Sequence, residues 1–290
     1  MKEKINLVLA GGGVKASFQI GVIEELLKKY DIDTVTGTSA GALNAVYTAV
    51  GKFDKLKEIW IRDDLKHIFL NNYKFGIFQG ILFEKSLYDN KNFLKFLNED
   101  INLDQLINSD IKFACVCSNT RTFQKEIIRN IPEHRDKIYK GILASMAIIP
   151  AYPPVILKDR YGIESECIDG GYIEGIPAET CMEITENKQL KTFIIGCDAV
   201  SSGLDIPQNN VKSSNIFELF MNTLGLCFDS VFDYNFKYGK LKYWDNNDNM
   251  ILIKPLYNIM NSSLEFDTVK IKDNIEYGKE IINKYIKYII

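Results

Sequence analysis

Apolar residues along this chain form short runs that alternate with helical stripes. Ile5–Leu9 is a short apolar run before three glycines, the pattern of a buried strand. From Ile20 the period changes: Ile23, Leu26, Leu27 and Tyr30 fall at i, i+3, i+4 and i+7, one face of a helix. Asp33–Thr36 predicts a second short strand. Ala40–Val50 predicts a tightly packed helix of small apolar residues, ended by Gly51. Phe53, Leu56, Ile59 and Trp60 predict another helix. Lys112–Cys117 and Lys191–Cys197 read as further buried strands and Met250–Ile253 as a shorter one. Ser214 is set to cap a helix carrying Phe217, Phe220, Leu224, Cys227 and Val231. A last stripe runs through Ile271, Ile275, Gly278, Ile282, Tyr285 and Ile289. Strands alternating with helices predict an α/β fold with a mostly parallel sheet covered by helices on both faces.

Length and charge narrow this picture. A chain of 290 residues holds one or two domains at about 150 residues each, and can bury a core without metal or disulfide staples. No linker, low-complexity tract or repeat divides it, so residues 1–290 read as a single domain with insertions. With 35 Lys+Arg against 38 Asp+Glu the net charge is −3, which gives nucleic acid no global attraction. No apolar segment reaches the length of a membrane span, and the first apolar stretch is too short for a signal peptide, so the expected location is cytoplasmic. Six cysteines lack metal-site spacing; Cys115 and Cys117 read as small apolar fillers on a strand.

The candidate chemistry sits in the turns. Gly37, Ser39 and Gly41 fit G-x-S-x-G between a strand and a helix. A sharp turn there presents the Ser39 hydroxyl above the sheet, near a helix N-terminus that favours developing negative charge. The alternative is a glycine-rich turn whose serine caps the helix. Gly11, Gly12 and Gly13 form a second strand-to-helix turn whose N–H groups can converge as an oxyanion hole. Lys15 at its mouth would fix the loop or add positive potential, or else be a solvated lysine. Gly11, Gly13 and Ala16 also satisfy G-x-G-x-x-G/A, with Asp31 or Asp33 near the ribose-binding distance of a dinucleotide site. Against that reading stand the three consecutive glycines and the second Gly-flanked serine turn. A nucleophilic serine needs a base. The only histidines, His67 and His134, lie in polar surroundings in the first half of the chain and read as surface residues. Asp169, followed by Gly170 and Gly171, is a carboxylate able to act without an imidazole; its alternatives are an Asp-Gly hairpin turn, or Asp198 or Asp229 as the base.

Taken in order, the Gly11–Lys15 loop, the Gly37–Gly41 turn and the Asp169–Gly171 triplet resemble the patatin-like phospholipase family. The spacings agree: 27 residues from Gly12 to Ser39 and 130 from Ser39 to Asp169. The segment Ala144–Pro150 resembles the family's Ala-Ser-x-Ala-x-x-Pro stretch, and Pro177 also fits. Residues 5–200 carry the match. The resemblance implies a three-layer α/β/α fold, Ser39 as nucleophile, Asp169 as base, the backbone around Gly12 and Gly13 as oxyanion hole, and hydrolysis of lipid acyl esters through an acyl-enzyme with no cofactor or metal. Two departures are Ala16, where the family usually has glycine, and Tyr172–Pro177, which lacks the asparagine often found before its proline.

The expected partner is a lipid or phospholipid, with transient contact at a membrane surface. Ile68–Phe83, dense in apolar and aromatic side chains, lies in a possible cap or insertion at 65–110, with Phe75 and Phe78 as candidate lipid contacts; ordinary core with loops is the other reading. Residues 201–290 read as helices plus an edge element with no assigned role. Two other functions stay open at this point: a dinucleotide-binding oxidoreductase, and a catalytically silent lipid-binding module of the same fold.

Overall fold

In the computed structural model, residues 2–74, 76–159, 161–198, 216–243, 249–260 and 262–289 are described. Eight strands form one sheet: β1 (Glu3–Leu9), β2 (Tyr30–Thr38), β3 (Lys112–Asn119), β4 (Gln124–Arg129), β5 (Val155–Lys158), β6 (Glu164–Asp169), β7 (Thr192–Ile195) and β8 (Met250–Ile253). Between and after them run α1 (Ser17–Lys29), α2 (Ala40–Ala49), α3 (Phe53–Trp60), α4 (Leu65–Phe69), α5 (Gly76–Phe83), α6 (Lys91–Asp100), α7 (Leu103–Ile107), α8 (Ile138–Ser145), α9 (Gly171–Glu174), α10 (Ala178–Ile184), α11 (Ile216–Tyr243) and α12 (Thr268–Ile289).

The path across the sheet is β5-β6-β3-β2-β1-β7-β8, with β4 also on β3. Five strands, β3, β2, β1, β7 and β8, are mutually parallel. The other three pair antiparallel, so the sheet is mixed, and this antiparallel part is absent from the pattern of buried apolar runs. Successive residues of one strand feed two cores. Ile5, Leu7 and Leu9 of β1 pack with α1, α2 and α12, while Val8 and Ala10 pack with α10 and α11. Strands covered on both faces need apolar residues at every position, which explains the unbroken runs. No described helix is long and apolar enough to cross a membrane.

Several expected elements shift. The stripe ending at Tyr30 leaves the helix one residue early: α1 stops at Lys29, and Tyr30 is the first residue of β2, paired with Glu3 and packed against Phe193. Gly51, at φ +69°, does end α2. Leu65, Phe69, Phe93, Leu97 and Leu106 from the 65–110 segment are buried in the main core, so that segment is at least partly core. The side chains of Phe78, Phe217, Phe220, Leu224, Asp229 and Ile289, with all of Phe75 and Ser214, lie outside what is described.

One register decides where the chemistry is. β3 is bordered by β4 along Ala114–Asn119 on one edge. On its other edge β2 runs alongside as far as Thr38, opposite Val116, and β6 arrives from the far end to finish at Asp169, opposite Cys117. β2 and β6 therefore meet head to head on consecutive residues of β3.

Candidate active site

Ser39 follows the last residue of β2 and stands just before α2 with φ 56° and ψ −129°, a left-handed conformation unusual for a residue with a side chain. The two flanking glycines permit it. A Cβ on Gly37 would lie 2.1 Å from the Gly41 carbonyl oxygen, and one on Gly41 would lie 2.3 Å from that of Leu9. Ser39 makes no side-chain capping bond to α2, which removes the helix-cap reading; its hydroxyl instead faces a cavity of about 530 Å³.

Asp169 reaches the same cavity across the strand junction. A side chain on Gly170 would strike the Val116 carbonyl and the Thr38 methyl, a measure of how closely the two strand ends abut. Asp169 is buried. Its Oδ1 accepts the Gly171 N–H at 2.7 Å. Burial pushes the carboxyl up to about 7; the Ser39 hydroxyl and the Gly171 N–H both pull it down. The chain continues into α9, so Asp169 is not in a hairpin turn.

The glycine loop closes the third side, and it differs from the expectation in one respect. Gly11, read as one of three converging donors, has its N–H committed to the Gly175 carbonyl at 3.0 Å. The N–H groups of Gly12 and Gly13 donate to no described residue, and both glycines line the cavity with Ser39. Gly13 has φ +55°, and a Cβ there would lie 2.1 Å from the Ser263 carbonyl. Lys15 is not a solvated lysine: its Nζ donates to Asp198 Oδ1 at 2.5 Å, tying the loop to the chain just beyond β7. That pairing accounts for Asp198, a rival for the base.

Other expected residues lie elsewhere. Asp33 sits in the first half of β2, where Lys4 and Lys112 flank it. Four residues of strand, about 13 Å, separate it from Gly37, so the ribose-binding acid of a dinucleotide site is missing from the glycine-loop end of the sheet. Neither His67 nor His134 lines the cavity. His67 is exposed as expected, but His134 is half-buried, and its Nδ1 accepts the Arg129 N–H, so it is part of the fold rather than a surface residue.

Sequence reasoning passed over the residues that brace the site. Gln19 donates to the carbonyls of Ala10 and Ile195, where β1 and β7 end; Asn44 holds Gln19 and the Ala16 carbonyl, and Trp60 holds Asn44. The available signal was two amides inside apolar helices, since a buried amide persists only where its hydrogen bonds are met. On the other side, Asn235 of α11 accepts the Gly175 N–H and donates to the Ile173 carbonyl. The cavity wall is apolar, with Trp60, Phe69, Met146, Ile148, Phe228 and Phe266 among its residues. Two of these come from residues 201–290, which had no assigned role.

The arrangement sets a hydroxyl and a carboxylate of near-neutral proton affinity beside backbone donors that have no acceptor among the described residues and a greasy chamber. That combination suits acyl transfer from a substrate with a hydrocarbon tail. Comparisons with known proteins agree. The family model described as Patatin-like phospholipase matches residues 7–182, a span that includes the glycine loop, Ser39 and Asp169. No curated protein matches the chain. Among solved structures, VipD from Legionella pneumophila has a similar fold, with a TM-score of 0.57 at 17% identity over 99% of this chain and 67% of that one.

Proposed function

The chain belongs to the patatin-like phospholipase family, and from that premise we propose that it hydrolyses lipid acyl esters with Ser39 as nucleophile and Asp169 as general base. The observation that carries this reading is the head-to-head meeting of β2 and β6, which sets the Asp169 carboxyl beside the Ser39 hydroxyl. Asp169 takes the hydroxyl proton as Ser39 Oγ attacks the ester carbonyl. The oxyanion forms against the N–H groups of Gly12 and Gly13, next to the positive end of α2. Asp169 returns the proton to the departing alcohol or lysolipid. It then accepts one from the water that attacks the acyl-enzyme, and Ser39 leaves reprotonated. A base with a proton affinity near 7 suits both directions of transfer.

The acyl chain occupies the apolar chamber, and a phospholipid or related glyceride is the substrate class. Lys15 with Asp198 holds the glycine loop, while Gly37, Gly41, Gly170 and Gly171 shape the two turns. The test is a lipid panel with products identified by mass spectrometry, run with Ser39→Ala and Asp169→Asn in parallel. Fatty acid release by the unmodified chain and none by either variant is expected. Equal release by all three would refute the dyad. A fluorophosphonate probe that fails to label Ser39 would favour the silent lipid-binding module.

A further inference from the structure

We infer that Ser145 is a positioning residue, whose hydroxyl oxygen holds the Ser39 N–H and so fixes where the Ser39 hydroxyl stands against Asp169. The inference rests on the Ser39–Asp169 reading above and concerns what keeps that pair in register. Ser145 is the last residue of α8, fully buried, and its Oγ accepts the Ser39 N–H at 2.9 Å. Backbone carbonyls of the same short segment hold the other partner. The Ala147 carbonyl accepts the Asp169 N–H at 3.0 Å, and the Ser145 carbonyl accepts the Gly170 N–H at 3.4 Å. Two residues, Ser145 and Ala147, thus grip both sides of the junction, with Ser145 lying 106 residues after Ser39 and 24 before Asp169.

The two grips differ in kind. Asp169 is held by backbone carbonyls, which any side chain would supply. Ser39 is held by one side-chain oxygen. As the residue just before the first turn of α2, Ser39 has no helical carbonyl behind it to accept its N–H, and Ser145 Oγ is the acceptor the fold provides for it. A buried N–H without an acceptor is costly. With Ser145 Oγ gone, the Ser39 peptide recovers a partner only by rotating away from φ 56°, which swings the hydroxyl off Asp169 and away from the glycine loop.

The experiment compares Ser145→Ala and Ser145→Thr in the full chain. It uses a short-chain nitrophenyl ester, active sites titrated with a fluorophosphonate, and amide hydrogen exchange of the segment containing Ser39. Ser145→Ala is expected to lower kcat per titrated site roughly 10- to 100-fold, with KM changed by less than about twofold. Its acid limb should move to higher pH, because the Ser39 hydroxyl no longer draws the Asp169 carboxyl down. Exchange at the Ser39 amide should quicken, and Ser145→Thr, which keeps the oxygen, should recover most of kcat. Should the threonine variant not fold, the acid limb and exchange of Ser145→Ala decide alone. An alanine variant with a lowered melting temperature but unchanged kcat per site, acid limb and exchange would overturn the inference. Full turnover by Ser39→Ala would instead overturn the dyad, and exchange at the Ser39 amide would still report on the clamp.

Discussion

The parallel and antiparallel parts of the sheet contribute to the site in different ways. The parallel part supplies the glycine loop after β1 and the serine turn after β2. Each is a short strand-to-helix connection, built from residues adjacent in sequence and dictated by local backbone sterics. The antiparallel part supplies a single carboxylate, and it does so by a collision: β6 runs against β2 until the two share one edge of β3. The parallel part sets the backbone conformation of Ser39; the antiparallel part sets the carboxylate beside it. The proposed dyad needs both, and neither contains information about the other's position.

The largest effects are expected from cutting the contact between the two parts. Ser39→Ala and Asp169→Asn should each lower kcat on a short-chain nitrophenyl ester by at least about 10³-fold, and the double variant should be little worse than the poorer single one. Steady-state kinetics of the three variants checks this. Additive losses would mean that the two residues act separately.

Damage confined to the parallel part should cost less. Gly13→Ala forces a left-handed φ and a clash with the Ser263 carbonyl, disturbing the N–H groups of Gly12 and Gly13. A fall in kcat of roughly 10²- to 10³-fold is expected, together with a lower melting temperature.

The antiparallel part is expected to show itself in pH dependence. As the proposed base, Asp169 works only when ionised, so kcat/KM should drop about tenfold per pH unit below a limb near 7. Stability runs the opposite way. The folded carboxyl holds its proton more tightly than an unfolded aspartate, whose value is 3.8, so its contribution is fully present below that value and is lost as pH rises through about 7. Asp169→Asn should therefore stabilise the chain at pH 8, by on the order of 2–4 kcal/mol, and the gain should vanish below about pH 4. Denaturant titrations of both chains at the two pH values measure it; a constant difference would contradict the buried, proton-hungry carboxylate.

Two smaller changes sharpen the boundary of the parallel part. Lys15→Met breaks the half-buried pair with Asp198. It should lower kcat/KM roughly two- to fivefold, as the loop loosens without losing its donors. Asp33→Asn lies at the far end of β2 and should leave kcat/KM within about twofold, since some 13 Å of strand intervenes. Addition of NADH should give no fluorescence enhancement.

Much of this was legible in the sequence where the physics is local. Three glycines after Ile5–Leu9, and a serine between Gly37 and Gly41, restrict the backbone within a few residues, so turn, strand and helix could be read directly. Continuous apolar runs marked the strands buried on both faces. The scarcity of histidine turned attention to a carboxylate, and the order of motifs singled out Asp169. Tertiary structure alone decided the rest. That β6 ends opposite Cys117, one residue beyond the point where β2 ends opposite Val116, follows from strand pairing across about 130 residues. Whether the Gly11 N–H is free depends on Gly175, whether Lys15 is solvated depends on Asp198, and whether residues 216–243 matter depends on Phe228 reaching the chamber. A turn records its own steric limits in its residues; a partner brought in by distant pairing leaves no such mark, because its position is set by the packing of the whole sheet.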